Sequence, residues 1–196
     1  MYTPHDLLKI NVIAFLKEHT SAPLWVQSSL QQVPFVVVRR AETTTAIPIG
    51  IRGSNRSERF ATTVNPSVVI KRITPYELQS YPCQYLHLEK AKQTFIYVKK
   101  VLQEYSWGPI GSVGFEIATR TNVMNEYSDF DIIIRCKHME VSKANDLLEQ
   151  LNQALVYVDP IVETNGGWFS LREFAKGDGV LFKTSLGLEL RQHPWA

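Results

Sequence analysis

Apolar positions change period along this chain, and the changes mark its elements. After Thr3-Pro4, the residues Leu7, Leu8, Ile10, Ala14 and Phe15 fall at helical spacing and predict a helix to about His19. Pro23 opens a second short helix through Trp25, Val26 and Leu30. The β-branched run from Pro34 to Arg40 reads as a buried strand. Ile47, Ile49 and Ile51 alternate with Pro48, Gly50 and Arg52 in another, where Pro48 suggests a sheet edge. A polar loop is expected from Gly53 to Arg59 and a third strand from Ser67 to Ile73. Thr74-Pro75-Tyr76-Glu77 has the form of a capping box that opens a short helix, closed by Tyr81-Pro82.

The second half alternates more regularly. Leu88 to Tyr105 is the longest helical pattern; a strand at 107–110, a helix at 113–120 and a strand at 129–135 follow. Ser142 is the expected cap of a helix reaching about Gln153. Val156 to Glu163 reads as a strand, and Asn165-Gly166 as its hairpin turn into Trp168–Leu171. A short helix through Arg172 and Phe174 leads to a closing hairpin, 179–184 with 188–191, around Gly187. Together these elements predict an α+β (mixed α/β) protein of two domains. Residues 1–82 form a small basic α/β domain, and residues 83–196 a domain with a mixed sheet.

Charge sharpens that division. Net charge over the 196 residues is only +2, but Arg39, Arg40, Arg52, Arg56, Arg59, Lys71 and Arg72 face only Glu42 and Glu58 within 39–72. Such a patch attracts polyanions. With no aromatic residues interleaved among positions 39–59 for base stacking, nucleic acid is the weakest of the partners considered. Cys83 and Cys136 show no metal-ligand or disulfide spacing. No apolar run approaches the ~20 residues of a membrane span, and His5 and Asp6 interrupt any N-terminal apolar stretch. A cytoplasmic protein without a membrane partner is expected.

The candidate chemistry lies between Trp107 and Arg135. Gly111-Ser112 precede a helix, and a small-residue turn at a helix N-terminus is a ready phosphate site. Asp129 and Asp131 stand at i and i+2 of a strand, so period-2 geometry puts both carboxylates on one face. Carboxylates that close repel unless a cation lies between them, and Mg2+ is the usual one. Such a site calls for a third acid from a neighbouring strand, as metal ligand or as base. Asp159 is the first choice and Glu163, on the same face, the alternative. Lys183, an ammonium in an apolar strand, either reaches a phosphate or faces solvent. Arg172-Glu173 reads as an internal ion pair more readily than as a ligand clamp.

A Gly-Ser turn followed by Asp-x-Asp on a strand resembles the nucleotidyltransferase superfamily. Along the whole chain the resemblance narrows to the phosphoribosyl-dephospho-CoA transferases of malonate decarboxylase. It is carried by His5-Asp6-Leu7, Pro34 to Arg40, Ile49-Gly-Ile-Arg-Gly53 with Arg56 and Arg59, and Thr74-Pro75. In the second half it is carried by Trp107 to Thr119, Ser128-Asp-Phe-Asp131, Arg172-Glu173 and Val180 to Thr184. The resemblance implies transfer of triphosphoribosyl-dephospho-CoA to a serine of the apo acyl-carrier protein, with release of pyrophosphate. In that scheme Mg2+ is held by Asp129, Asp131 and Asp159. Gly111, Ser112, Arg52, Arg56, Arg59 and Lys183 bind the substrate, and Arg39 and Arg40 join them against phosphates or an acidic carrier. The resemblance also implies a glycine where this chain has Arg120, so a differently shaped loop is expected after the helix. The alternatives are another Mg2+-dependent minimal nucleotidyltransferase, or a non-catalytic module that docks a carrier protein.

Overall fold

A computed structural model describes residues 2–41, 45–55 and 57–195. The chain divides into two compact units, Met1–Thr74 and Pro75–Ala196, with helices and two sheets in an α+β fold. The division falls after Thr74 rather than at position 82. The helix that begins at Pro75 packs tightly within the second unit: a Cβ on Gly108 would lie 2.0 Å from the Pro75 carbonyl oxygen.

The first unit runs β1 (Leu7–Ile10), α1 (Val12–Glu18), α2 (Leu24–Gln32), β2 (Phe35–Val38), β3 (Ile47–Arg52), β4 (Arg59–Val64) and β5 (Val69–Ile73). The strands form an antiparallel sheet in the order β4-β3-β2-β1-β5. One face, with Leu8, Ile10, Val36, Val38, Ile49 and Ile51, packs against Phe15, Val26 and Leu30 of the two helices.

Three expectations are corrected here. The helix expected from Thr3 to His19 begins only at Val12, where the Asn11 side chain caps it by accepting from the Ala14 N–H at 3.1 Å. Leu7–Ile10 is a strand between two others, because three of its four residues are buried from both sides of the sheet. Pro48 lies in the interior strand β3; the edge is β4, most of which falls between the expected 53–59 loop and the expected 67–73 strand, where no element is expected. His5 sits in a left-handed turn (φ 73°) rather than a helix. Beside it, the buried Asp6 carboxylate accepts from the Thr3 N–H (2.8 Å) and Arg72 Nε (2.6 Å).

The second unit runs α3 (Pro75–Leu78), α4 (Glu89–Val101), β6 (Ser106–Pro109), α5 (Gly111–Thr119), β7 (Phe130–Arg135), α6 (Val141–Leu151), β8 (Val158–Thr164), β9 (Gly167–Ser170), α7 (Leu171–Phe174), β10 (Val180–Lys183) and β11 (Leu188–Arg191). Its six-stranded sheet has the order β11-β10-β9-β8-β7-β6. Only β7 and β8 run parallel, with α6 as their crossover, so the sheet is mixed as expected. The cap of α6 is Glu140 rather than Ser142. Phe130, Ile132 and Ile134 line the core face, where Phe95 of α4 meets Trp107 at 5.8 Å and Phe130 at 6.5 Å between ring centroids. Asp131, Ile133 and Arg135 therefore point to the opposite face. Among the described residues no helix is long and apolar enough to cross a membrane.

Candidate active site

Strand β6 ends at Pro109 and α5 starts at Gly111, with extended Ile110 between them as N-cap. Ile110 has no side-chain oxygen to offer the first turn, and its own N–H donates to the Asp131 carbonyl at 3.0 Å. That bond fixes the helix N-terminus against β7. Gly111 has φ +60°, and a Cβ there would lie 2.1 Å from Asp131 Oδ2. Glycine is therefore required twice, for the left-handed backbone and for the space the carboxylate occupies. The first-turn N–H groups and the helix dipole favour an anion at this point.

Asp131 pairs in register with Asp159 on the parallel neighbour β8. Paired residues of adjacent strands share a face and lie about 4.8 Å apart, so these half-buried carboxylates stand side by side. Asp129 precedes β7 and is exposed. It follows a turn in which the Asn125 N–H donates to Ser128 Oγ (2.9 Å) and the Ser128 N–H to the Asn125 carbonyl (3.0 Å). Asp131, Asp159 and Gly111 thus come together, while Asp129 flanks them. Among the described residues no group of three or more His, Cys, Asp or Glu side chains is gathered as a metal cluster. The donor set still suits magnesium, which takes hard oxygen ligands and is usually held by one or two carboxylates with substrate phosphates completing its shell.

The remaining candidates separate from this cluster. Glu163 pairs in register with Arg135, four residues and about 13 Å along the strand from Asp159. Its Oε2 accepts from Arg135 Nε (2.8 Å) and Tyr76 Oη (2.5 Å), and the Arg135 guanidinium lies 4.0 Å above the Tyr76 ring. Burial, and then the Glu163 carboxylate, push the Tyr76 phenol well above its usual range. Glu163 is thereby committed to another role than third acid. Lys183 pairs with Trp168, which pairs with Glu163, so its row is that of Arg135 and not that of Asp131. Same-face residues of a strand need not be neighbours, which is why sharing a face with Asp159 does not bring Glu163 to the cluster. Arg172 and Glu173 do not pair with each other. Arg172 donates to the Val158 carbonyl (2.7 Å) and Asn152 Oδ1 (3.0 Å), and Glu173 accepts from the Leu181 N–H (3.0 Å). Arg52 and Arg59 are exposed on β3 and β4 of the first unit, and Arg56 lies outside the described residues. A surface hollow of about 310 Å³ near Cys83, Phe95, Ile96 and Lys99 contains none of the candidate residues.

One residue that spacing alone did not single out organises the loop before Asp129. Glu116 is fully buried in α5. Its carboxylate accepts from the N–H and Nδ1 of His87 (both 2.7 Å) and from the N–H groups of Val123 (2.9 Å) and Met124 (3.0 Å). A glutamate on the apolar face of a helix, at i+3 from Val113, was the available signal. Burial raises its pKa, but the hydrogen bonds outweigh that and hold it below the usual glutamate value. The stability it supplies is therefore fully present above the ordinary glutamate range and is lost as the pH falls through the depressed value. Glu116→Gln is expected to lower stability by about 2 kcal/mol at neutral pH, since an amide cannot accept all four bonds. It should also flatten the acid limb of the stability curve; denaturant titrations from pH 7 down to pH 3 measure both effects.

Arg120 caps α5 in the left-handed conformation (φ 59°, ψ 30°). It thus takes, as an L-residue, a backbone shape that glycine adopts without cost. Its guanidinium sits 4.1 Å over the Tyr85 ring and donates to Tyr85 Oη at 2.8 Å. Arg120→Gly should relieve the strain and lose that contact, a net change within about 1 kcal/mol. Arg120→Ala loses the contact and keeps the strain, so it should melt lower than Arg120→Gly by the equivalent of about 1 kcal/mol.

A glycine turn at a helix N-terminus beside facing carboxylates suits a phosphate group and a divalent cation. Residues 3–75 match the family model for the phosphoribosyl-dephospho-CoA transferase MdcG N-terminal domain, and residues 83–194 that for its C-terminal domain. The chain is similar to the phosphoribosyl-dephospho-CoA transferase of Pseudomonas syringae pv. tomato, at 34% identity over 98% of this chain and 92% of the relative. It is 33% identical to that of Pseudomonas fluorescens, over 99% and 94%, and 30% identical to that of Klebsiella pneumoniae, over 98% and 95%. No solved structure matches. The chain belongs to the phosphoribosyl-dephospho-CoA transferase family and is a transferase enzyme.

Proposed function

We propose that the enzyme transfers the triphosphoribosyl-dephospho-CoA group to a serine of the apo acyl-carrier protein of malonate decarboxylase, forming a phosphodiester and releasing pyrophosphate. Family membership supports the donor, and the MdcG models that match the chain point to the acceptor system. The observation that carries the chemistry is the Asp131 carboxylate lying against Gly111 and in register with Asp159.

Asp129 and Asp131 would hold magnesium, with Asp159 as a further ligand or as the base, and a bound ion would supply positive charge to the triphosphate and to the attacking and leaving oxygens. The N–H groups of Gly111 and Ser112, with the Ser112 hydroxyl, bind phosphate oxygens at the start of α5. The acceptor serine Oγ forms a bond to the phosphorus nearest the ribose while the bond from that phosphorus to the pyrophosphate oxygen breaks. With Asp159 as the base, the hydroxyl proton would pass to its carboxylate, which stands on the same sheet face as Asp131. Arg52, Arg56 and Arg59 are the basic groups offered to the donor or the acceptor. Transfer takes place in the cytoplasm.

Incubation with apo carrier protein, triphosphoribosyl-dephospho-CoA and Mg2+ tests the proposal. One prosthetic-group mass added per carrier, on a serine, with one pyrophosphate released, is the expected result. An unmodified carrier, with activity toward ATP and another acceptor, points instead to a different nucleotidyltransferase.

A further inference from the structure

The sheet of the first unit carries an arrangement of charge that its own folding does not explain. Lys9 on β1 pairs directly with Lys71 on β5, and Arg52 on β3 directly with Arg59 on β4. Like charges placed opposite one another across antiparallel strands are destabilising. All four side chains are exposed, and among the described residues none of them forms an ion pair.

The two pairs belong to one line. Lys9 also pairs with Phe35 of β2, and the β2–β3 register set by Val37 with Gly50, carried two residues further, puts Phe35 opposite Arg52. The row across the sheet is Arg59, Arg52, Phe35, Lys9, Lys71, with the half-buried aromatic at its centre. Among the described strand positions on this face there is no acid. Arg39 adds a further cation, its side chain lying across Gly50 so closely that a Cβ there would meet Arg39 Cδ at 2.9 Å.

Edge protection accounts for part of this. Basic side chains on edge strands discourage sheet-to-sheet pairing, and Arg59 and Lys71 are on the edges β4 and β5. Lys9 and Arg52 are on interior strands, where no such protection is needed. Five strands at about 4.8 Å spread the row over roughly 19 Å. A triphosphate presents its charges over a few ångströms and would meet only one end of it. A helix with acids at i and i+4 repeats its charge about every 6 Å, so three to four turns match the full row.

From this match we infer that the row docks an acidic helix of the acceptor protein, with Phe35 supplying an apolar contact at its centre. The inference rests on the proposed transfer to a carrier protein and names how that partner is held. The test is the Lys9→Glu, Lys71→Glu double variant, with Lys9→Gln, Lys71→Gln beside it, assayed in the full-length enzyme against apo carrier protein and triphosphoribosyl-dephospho-CoA. The acidic pair should raise KM for the carrier at least tenfold and the neutral pair about threefold, with kcat and KM for the nucleotide within twofold of wild type. The carrier KM of the wild type should climb steeply with salt, and that slope should be shallower in both variants. Unchanged carrier KM in an enzyme that still transfers overturns the docking assignment alone. A raised nucleotide KM with carrier KM unchanged overturns it in favour of the nucleotide. Absence of transfer by the wild type overturns the functional proposal and this inference together.

Discussion

Gly111→Ala is expected to lower kcat at least a hundredfold while the protein still folds. The backbone at 111 has φ +60°, a region that costs an alanine about 1–2 kcal/mol. The larger effect is spatial. The added methyl would fall 2.1 Å from Asp131 Oδ2, closer than atoms can approach, so either the carboxylate or the start of α5 must shift. Both are parts of the proposed site, and a displacement of about 1 Å between reacting groups typically costs about a hundredfold in rate. Steady-state kinetics with a thermal melt separate the two consequences: a drop in Tm of about 2–8 °C and a much larger loss of turnover. An alanine variant with near-normal kcat would show that Asp131 can move without harm, and so that its position is not part of the chemistry.

Asp131→Asn should reduce kcat about a thousandfold, equivalent to several kcal/mol of transition-state stabilisation. The amide keeps the shape of the side chain and the carbonyl bond from Ile110, so the fold should persist. Replacing one of the two facing carboxylates should also remove most of the affinity for the cation. Differential scanning calorimetry with and without Mg2+ reads this directly. Wild type should gain stability on adding the ion, and Asp131→Asn should gain little.

Local chemistry made part of this molecule legible. The Gly-Ser turn, the paired aspartates and the strand carrying Asp159 are short-range features, and the parallel β7–β8 pairing follows from the helical crossover between them. What depended on register or burial was harder to see. Leu7, Leu8 and Ile10 fit a helix by spacing, and only burial on both faces of a sheet made them a strand. In β4, Phe60, Thr62 and Val64 alternate with exposed Arg59, Ala61 and Thr63, a mixture of polar and apolar on both faces too weak to announce an edge strand. Glu163 shares a face with Asp159, yet β-strand rise carries it about 13 Å away into an ion pair with Arg135. Glu116 reads as an ordinary helical glutamate until the loop that it holds is in place.

The most direct measurement is a structure of the enzyme with Mg2+ and a non-hydrolysable triphosphate analogue of the donor. The account predicts metal in contact with Asp131, together with Asp129 or Asp159, and phosphate oxygens on the Gly111 and Ser112 N–H groups. Phosphates seated instead beside Lys183 and Arg135, with Asp131 touching neither metal nor ligand, would contradict it.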